Sequence, residues 1–168
     1  ADQGWCRRER RPSHRSSRIG DGSPISWRLT GLATRDDHLL AADLATQAGT
    51  LLLGIRQRLV AEGAPASLMK HQGDLQSHEQ LMSALADARP NDSVLSEEGT
   101  AHVCHPDRGT GKRTWIVDPV DGTREYSEPP RSDWAVHVAM VEAGQPTVGA
   151  VALPDLGVTL STAEPPAT

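Results

Sequence analysis

From Asp36 onward apolar residues recur at helical spacing: Leu40, Leu44, Ala48, Leu51, Leu52, Ile55 and Leu59 share one face. Thr34, Asp36 or Asp37 can cap the start of this helix, and acids there suit the positive end of its dipole. Gly63 and Pro65 end it. A second helical pattern covers residues 75–89, with Leu81, Met82 and Leu85 inward and Pro90 as its stop. The period then changes to two. Residues 93–96 are short and apolar, and 114–117 read as a buried strand. Residues 134–141 alternate, with Trp134, Val136, Val138 and Met140 on one face. Residues 142–146, containing Gly144, read as a hairpin loop with 148–153 as the partner strand. Residues 158–161 form a last strand after the turn at 154–157. Helices first and strands after, joined by tight turns, predict an α+β fold with two long helices packed on a largely antiparallel sheet. No internal repeat interrupts this order.

The stretch 1–35 breaks the pattern. Arg7, Arg8, Arg10, Arg11, Arg15 and Arg18 sit among Ser, Gly and Pro without an apolar period. It reads as a disordered extension, with a basic arm for an acidic partner as the alternative; the absence of an initiating Met suits an extension. Residues 36–161 form the body, and 162–168 read as a loose tail. With 37% hydrophobic and 23% charged residues the body has material for a core, so full disorder is excluded. No apolar run approaches the ~20 residues of a membrane span, and no signal peptide opens the chain. A cytoplasmic protein without a membrane partner is expected. Two cysteines, Cys6 and Cys104, exclude a disulfide framework and a four-cysteine zinc site. The net charge of −5 is divided: residues 1–35 carry eight Arg and three acids, and the rest of the chain is acidic. An acidic body with 3% aromatic residues argues against nucleic acid and suits cations.

The candidate chemistry lies in Trp115-Ile-Val-Asp-Pro-Val-Asp-Gly-Thr-Arg-Glu-Tyr126. An apolar strand delivers Asp118 at its end, Pro119 stiffens the turn, and Asp121 follows three residues on. Two carboxylates on one stiff turn can share a hard cation such as Mg²⁺, which takes oxygen ligands. Gly122 allows close backbone approach, and a helix starting near Thr123 would offer free amides to a phosphate. Glu97 follows another short strand and can join the pair; alone it reads as an exposed acidic turn. Gly73-Asp74 reads as the opening of the second helix, with Asp74 as a simple N-cap on local grounds. Other chemistries fail on spacing. Gly109-Thr-Gly-Lys-Arg-Thr114 has Arg113 where a phosphate loop needs Ser or Thr. His102, Cys104 and His105 have no second ligand cluster for zinc, and no Gly-x-Ser-x-Gly is present. A glycosidase pair is less suited to a three-residue spacing across a Pro turn than metal sharing is.

Ser96-Glu97-Glu98, the Asp-Pro-Val-Asp-Gly-Thr turn and the Asp133-Trp-Ala-Val-His-Val-Ala strand together resemble the inositol-monophosphatase superfamily of Mg²⁺-dependent, Li⁺-sensitive phosphatases. The continuation Arg124-Glu125-Tyr126 resembles the Lys/Arg-Glu-Phe of the CysQ branch of bisphosphate nucleotidases more than the Thr-Asn-Phe of inositol monophosphatases. Tyr126 departs from that Phe. Gly73-Asp74 and Arg-Pro-x-Asp-x-Val-Leu-Ser-Glu-Glu from Arg89 are also similar to actinobacterial CysQ proteins. The resemblance spans about residues 37–160 and implies the N-terminal lobe of the family's fold.

The resemblance also implies roles. Glu97 and Asp118 would hold a first metal, Asp118 and Asp121 further Mg²⁺, and the Val120 carbonyl a backbone ligand. Gly122 and Thr123 would contact phosphate. Asp74, 23 residues before Glu97, would pair with Thr123 to orient the attacking water. Mn²⁺ is the expected substitute and Li⁺ the expected inhibitor. The implied reaction is hydrolysis of a small phosphate ester, 3′-phosphoadenosine 5′-phosphate in sulfate assimilation, with inositol monophosphate or fructose bisphosphate as alternatives. Relatives carry a C-terminal lobe whose Trp-Asp motif supplies another metal ligand. None of Trp5, Trp27, Trp115 and Trp134 is followed by Asp. A non-catalytic, cation-binding fragment is therefore a second expectation, as are weak turnover and self-association through the exposed lobe face.

Overall fold

Leu44, Ala48, Leu52, Ile55 and Leu59 are buried along one side of the first helix, with Ala41 and Ala45 beside them. The computed structural model describes residues 33–97 and 113–165. Helix α1 spans Arg35–Ala61 and α2 spans Ala66–Ala88. Five strands follow: β1 (Ser93–Ser96), β2 (Arg113–Asp121), β3 (Ala135–Glu142), β4 (Gln145–Leu153) and β5 (Val158–Ser161). A single-turn helix α3 (Thr123–Tyr126) follows β2, and a 3₁₀ turn (Pro154–Leu156) precedes β5. The strands form one sheet in chain order. β1 runs parallel to β2, and every other neighbouring pair is antiparallel. The α+β architecture therefore matches the expectation from hydrophobic period.

Both helices lie on one face of the sheet, α1 across β3 and β4, α2 across β2 and β1. Trp115, Val117, Val136, Val138, Met140 and Val148 point into this layer and are buried. Each large apolar side chain so buried stabilises the fold by about 1.5–3 kcal/mol. Ile116, Val158 and Leu160 stay exposed on the opposite face. By length and composition α1 would also suffice to cross a membrane, although its apolar stripe is packed on this sheet.

Three boundaries correct the sequence reading. α2 starts at Ala66, so Gly73 and Asp74 sit inside the helix and Asp74 is not its N-cap. Pro65 occupies the cap position instead, where its fixed φ and missing N–H do no harm. β2 runs on past Val117 to Asp121, because an irregularity between Asp118 and Asp121 lets it keep its pairing with β3. The tail is held at its start: the Thr162 amide donates to the Gly149 carbonyl at 2.9 Å. Residues 1–32, Glu98, His102, Cys104, His105 and Lys112 lie outside the described residues.

Among the cap candidates Thr34 takes the N-cap position. Asp37 accepts hydrogen bonds from the Thr34 amide at 2.8 Å and from the Thr34 hydroxyl at 2.9 Å. Its other oxygen accepts from Arg89 at 2.8 Å and Arg113 at 2.7 Å. One carboxylate, 1% exposed, thereby joins α1, the end of α2 and the start of β2. Burial alone would raise this carboxyl, but the Thr34 amide, Arg113 and Arg89 hold it well below the usual carboxylate range. Its folded pKa is depressed, so its contribution is full above the unfolded value of about 3.9 and lost as pH falls below it. We expect Asp37→Asn to lower stability by about 3 kcal/mol in urea titrations at pH 7. The gap should close towards pH 2; a gap independent of pH would refute the assignment.

Candidate active site

Among the described residues, the one parallel strand pair places two acids side by side. Ser96 lies beside Val117 in the β1–β2 register, so the following residues, Glu97 and Asp118, emerge at the same end of the pair. The Glu97 amide donates to the Val117 carbonyl at 3.3 Å and continues the pairing by one residue. The two side chains lie close enough for each to act on the other's proton. Burial first, then the neighbouring Glu97 carboxyl and the charge of Asp121, push the Asp118 carboxyl up to about 6. The Val120 amide, 3.2 Å from Asp118 Oδ1, opposes the rise. Like-charged oxygens forced together are relieved by a proton, or equally by a hard cation.

The rest of the motif forms the turn beyond Asp118. Gly122 has φ +79°, and a Cβ there would stand 3.1 Å from the Asp133 carbonyl, so only glycine fits without strain. Thr123 opens α3, and its hydroxyl donates to the Val120 carbonyl at 3.0 Å. The helix is a single turn, closed by the Tyr126 amide on the Gly122 carbonyl at 2.9 Å. Asp121 points outward, with Oδ2 3.0 Å from His137 Nε2. Among the described residues no three His, Cys, Asp or Glu side chains surround a common metal position. Asp121 therefore stands beside the Glu97–Asp118 pair and acts on it through charge.

Helix α2 approaches this turn closely. A Cβ on Gly73 would lie 2.5 Å from the Tyr126 ring, so glycine is required where α2 and α3 touch. Asp74 is next in the helix, near enough to Tyr126 for its charge to act on the phenol. Burial, above all, pushes that phenol up, with Arg56 opposing and Asp74 adding. The Tyr126 hydroxyl donates to the Leu52 carbonyl in α1 at 3.1 Å. Tyr126 also packs edge-on against Trp134, ring centroids 5.0 Å apart. Arg56 lies over both rings, donates to Asp155 Oδ2 and to the Arg131 carbonyl at 2.6 Å each, and is buried. Asp155 also accepts from the Trp134 indole.

The structure thus brings Glu97 and Asp118 into contact and sets Val120, Asp121, Gly122 and Thr123 on the same turn. Asp74 approaches from the neighbouring helix. Glu97, Asp118 and the Val120 carbonyl offer oxygen donors only, the kind a hard divalent cation takes, and Asp121 stands beside them. The sequence reading missed Ser77, His78, His137 and Arg56. For His137 a signal existed: strand alternation puts it opposite the buried face, and the register pairs it with Asp118. A cleft of about 470 Å³ adjoins the turn, lined by Asp121, Gly122, Asp133, Trp134, His137 and Leu156.

The chain is similar to known proteins in sequence and in fold. The sequence profile of the inositol monophosphatase family matches residues 37–164. A 3′-phosphoadenosine 5′-phosphate phosphatase of Mycobacterium leprae is 47% identical over 118 residues, covering 69% of this chain and 40% of the relative. A histidinol-phosphatase of Streptomyces coelicolor is 37% identical over 127 residues, covering 71% and 43%. The crystal structure of inositol monophosphatase II from Staphylococcus aureus superposes with a TM-score of 0.65 at 20% identity, covering 77% of this chain and 46% of that one. The chain spans about two fifths of the length of the curated relatives it matches.

Proposed function

Because the chain belongs to the inositol monophosphatase family, we propose that the Asp118 turn is the cation- and phosphate-binding part of a phosphomonoesterase acting on 3′-phosphoadenosine 5′-phosphate. The observation that carries the substrate is the 47% identity to a phosphatase of that name, joined to Arg124-Glu125 directly after the shared turn. The cation would be Mg²⁺ or Mn²⁺, held by Glu97, Asp118, Asp121 and the Val120 carbonyl. A cation there supplies a more acidic water and neutralises charge on the phosphate oxygens. Asp74 would pair with Thr123 to orient the attacking water and would accept its proton. Gly122, with no side chain, leaves its amide open to a phosphate oxygen. These residues mainly position and neutralise, which is what phosphoryl transfer to water requires.

A second reading, histidinol phosphate as substrate, is favoured by the 37% identity to the Streptomyces coelicolor relative. A comparison of kcat/KM for 3′-phosphoadenosine 5′-phosphate, inositol 1-phosphate and histidinol phosphate tests the choice. We expect the nucleotide to lead by at least about tenfold. Equal values, or another ester in the lead, would overturn the substrate assignment.

A further inference from the structure

Ser77 and His78 follow Asp74 in α2 at the spacings that share a helix face. Ser77 is fully buried, and its hydroxyl donates to the Pro119 carbonyl at 2.9 Å. His78 Nδ1 lies 2.9 Å from Ser96 Oγ. Consecutive residues of one helix therefore grip both members of the parallel strand pair. Ser96 directly precedes Glu97, and Pro119 directly follows Asp118.

The Ser77 bond has a specific cause. β2 loses its regular register with β3 between Asp118 and Asp121, and such an irregularity disrupts the ladder locally. Side-chain hydroxyls take up adjacent carbonyls there: Thr123 donates to Val120 and Ser77 to Pro119. A serine inside a helix can also bond the carbonyl four residues back. Ser77 instead reaches a residue 42 positions away, from the same helical face that carries Asp74.

We propose that Ser77 is a positioning residue: its bond to the Pro119 carbonyl sets the pose of the Asp118–Asp121 turn against Asp74 and so the affinity of the turn for a divalent cation. This rests on the reading of the turn as a cation site. Residues that orient metal ligands from outside typically govern affinity by about 10–100-fold.

The test is Mn²⁺ titration of the full chain by calorimetry, with Ser77→Ala and the near-isosteric Ser77→Cys. Both should bind Mn²⁺ about tenfold more weakly than wild type. Ala84→Gly, which loosens the same helix away from the turn, should leave the affinity unchanged. Ser77 variants within about twofold of wild type, against that ~10-fold expectation, would overturn the proposal. So would an equal loss in Ala84→Gly, which would make the effect one of helix stability. If the wild-type chain takes up no Mn²⁺, the cation reading fails and the positioning role is decided by amide exchange. The Val120 amide, bonded to Asp118 Oδ1, should then exchange faster in Ser77→Ala while the Ala139 amide does not change. Unchanged exchange at Val120 would reject the role.

Discussion

Asp118→Asn is expected to abolish Mn²⁺ binding and to lower phosphate release by about 10³-fold or more, the scale of removing a group that stabilises transition-state charge. The reason is local. Asp118 is the residue through which Glu97, Asp121 and the Val120 amide all interact. An asparagine keeps an oxygen for that amide, so the turn should stay folded. It lacks the charge that draws a cation, and its NH₂ group is a donor where an acceptor is needed. The same change removes repulsion from Glu97 and Asp121. Without metal, Asp118→Asn should therefore melt at a higher temperature than wild type, an exchange of stability for binding. Calorimetry with Mn²⁺ and thermal melts in chelator check both halves. Unchanged affinity, or a lower melting temperature in chelator, would show that Asp118 is a structural acid.

Arg56→Met should lower stability by about 3 kcal/mol, a large share of the 5–15 kcal/mol by which domains are stable. Arg56 is buried, and its guanidinium joins α1 to Asp155 after β4 and to the Arg131 carbonyl before β3. Methionine would fill the space over the Tyr126 and Trp134 rings. It would leave Asp155 with the Trp134 indole and the Arg131 carbonyl without its donor. Urea unfolding followed by Trp fluorescence should show a lower midpoint with an unchanged slope. A loss below about 1 kcal/mol, the value of an exposed ion pair, would mean that solvent replaces the guanidinium.

The strands and α1 were legible because each buries one face, and burial leaves a period in the sequence. The start of α2 was not. Before Gly73 that helix buries only Met69, so no apolar stripe marks it; Pro65 reads as the end of α1 and Gly73 as the opening of α2. Gly73 has a tertiary reason, the Tyr126 ring packed against it. Tyr126 itself read as a mild departure from phenylalanine until the Leu52 carbonyl gave its hydroxyl a partner. The turn residues 118–123 could be picked out because their spacing is local. Ser77 with Pro119 and Arg56 with Asp155 pair across 42 and 99 positions, and no local pattern reports that.

The parallel placement of β1 has a consequence for the order of folding. β3 pairs with β4 and β4 with β5 through tight turns, so these pairings have the shortest sequence separations in the sheet and are expected to close first. β1 meets β2 across 21 residues at each pair, as from Ser93 to Thr114, a larger loop than the β3–β4 hairpin closes and one with a higher entropic cost. The approach of Glu97 to Asp118 belongs to that larger closure. Substitutions in β1 should thus speed unfolding while hardly slowing folding, and substitutions in the β3–β4 hairpin should do the reverse. On this order the two repelling carboxylates meet only after the β3–β4 hairpin has closed.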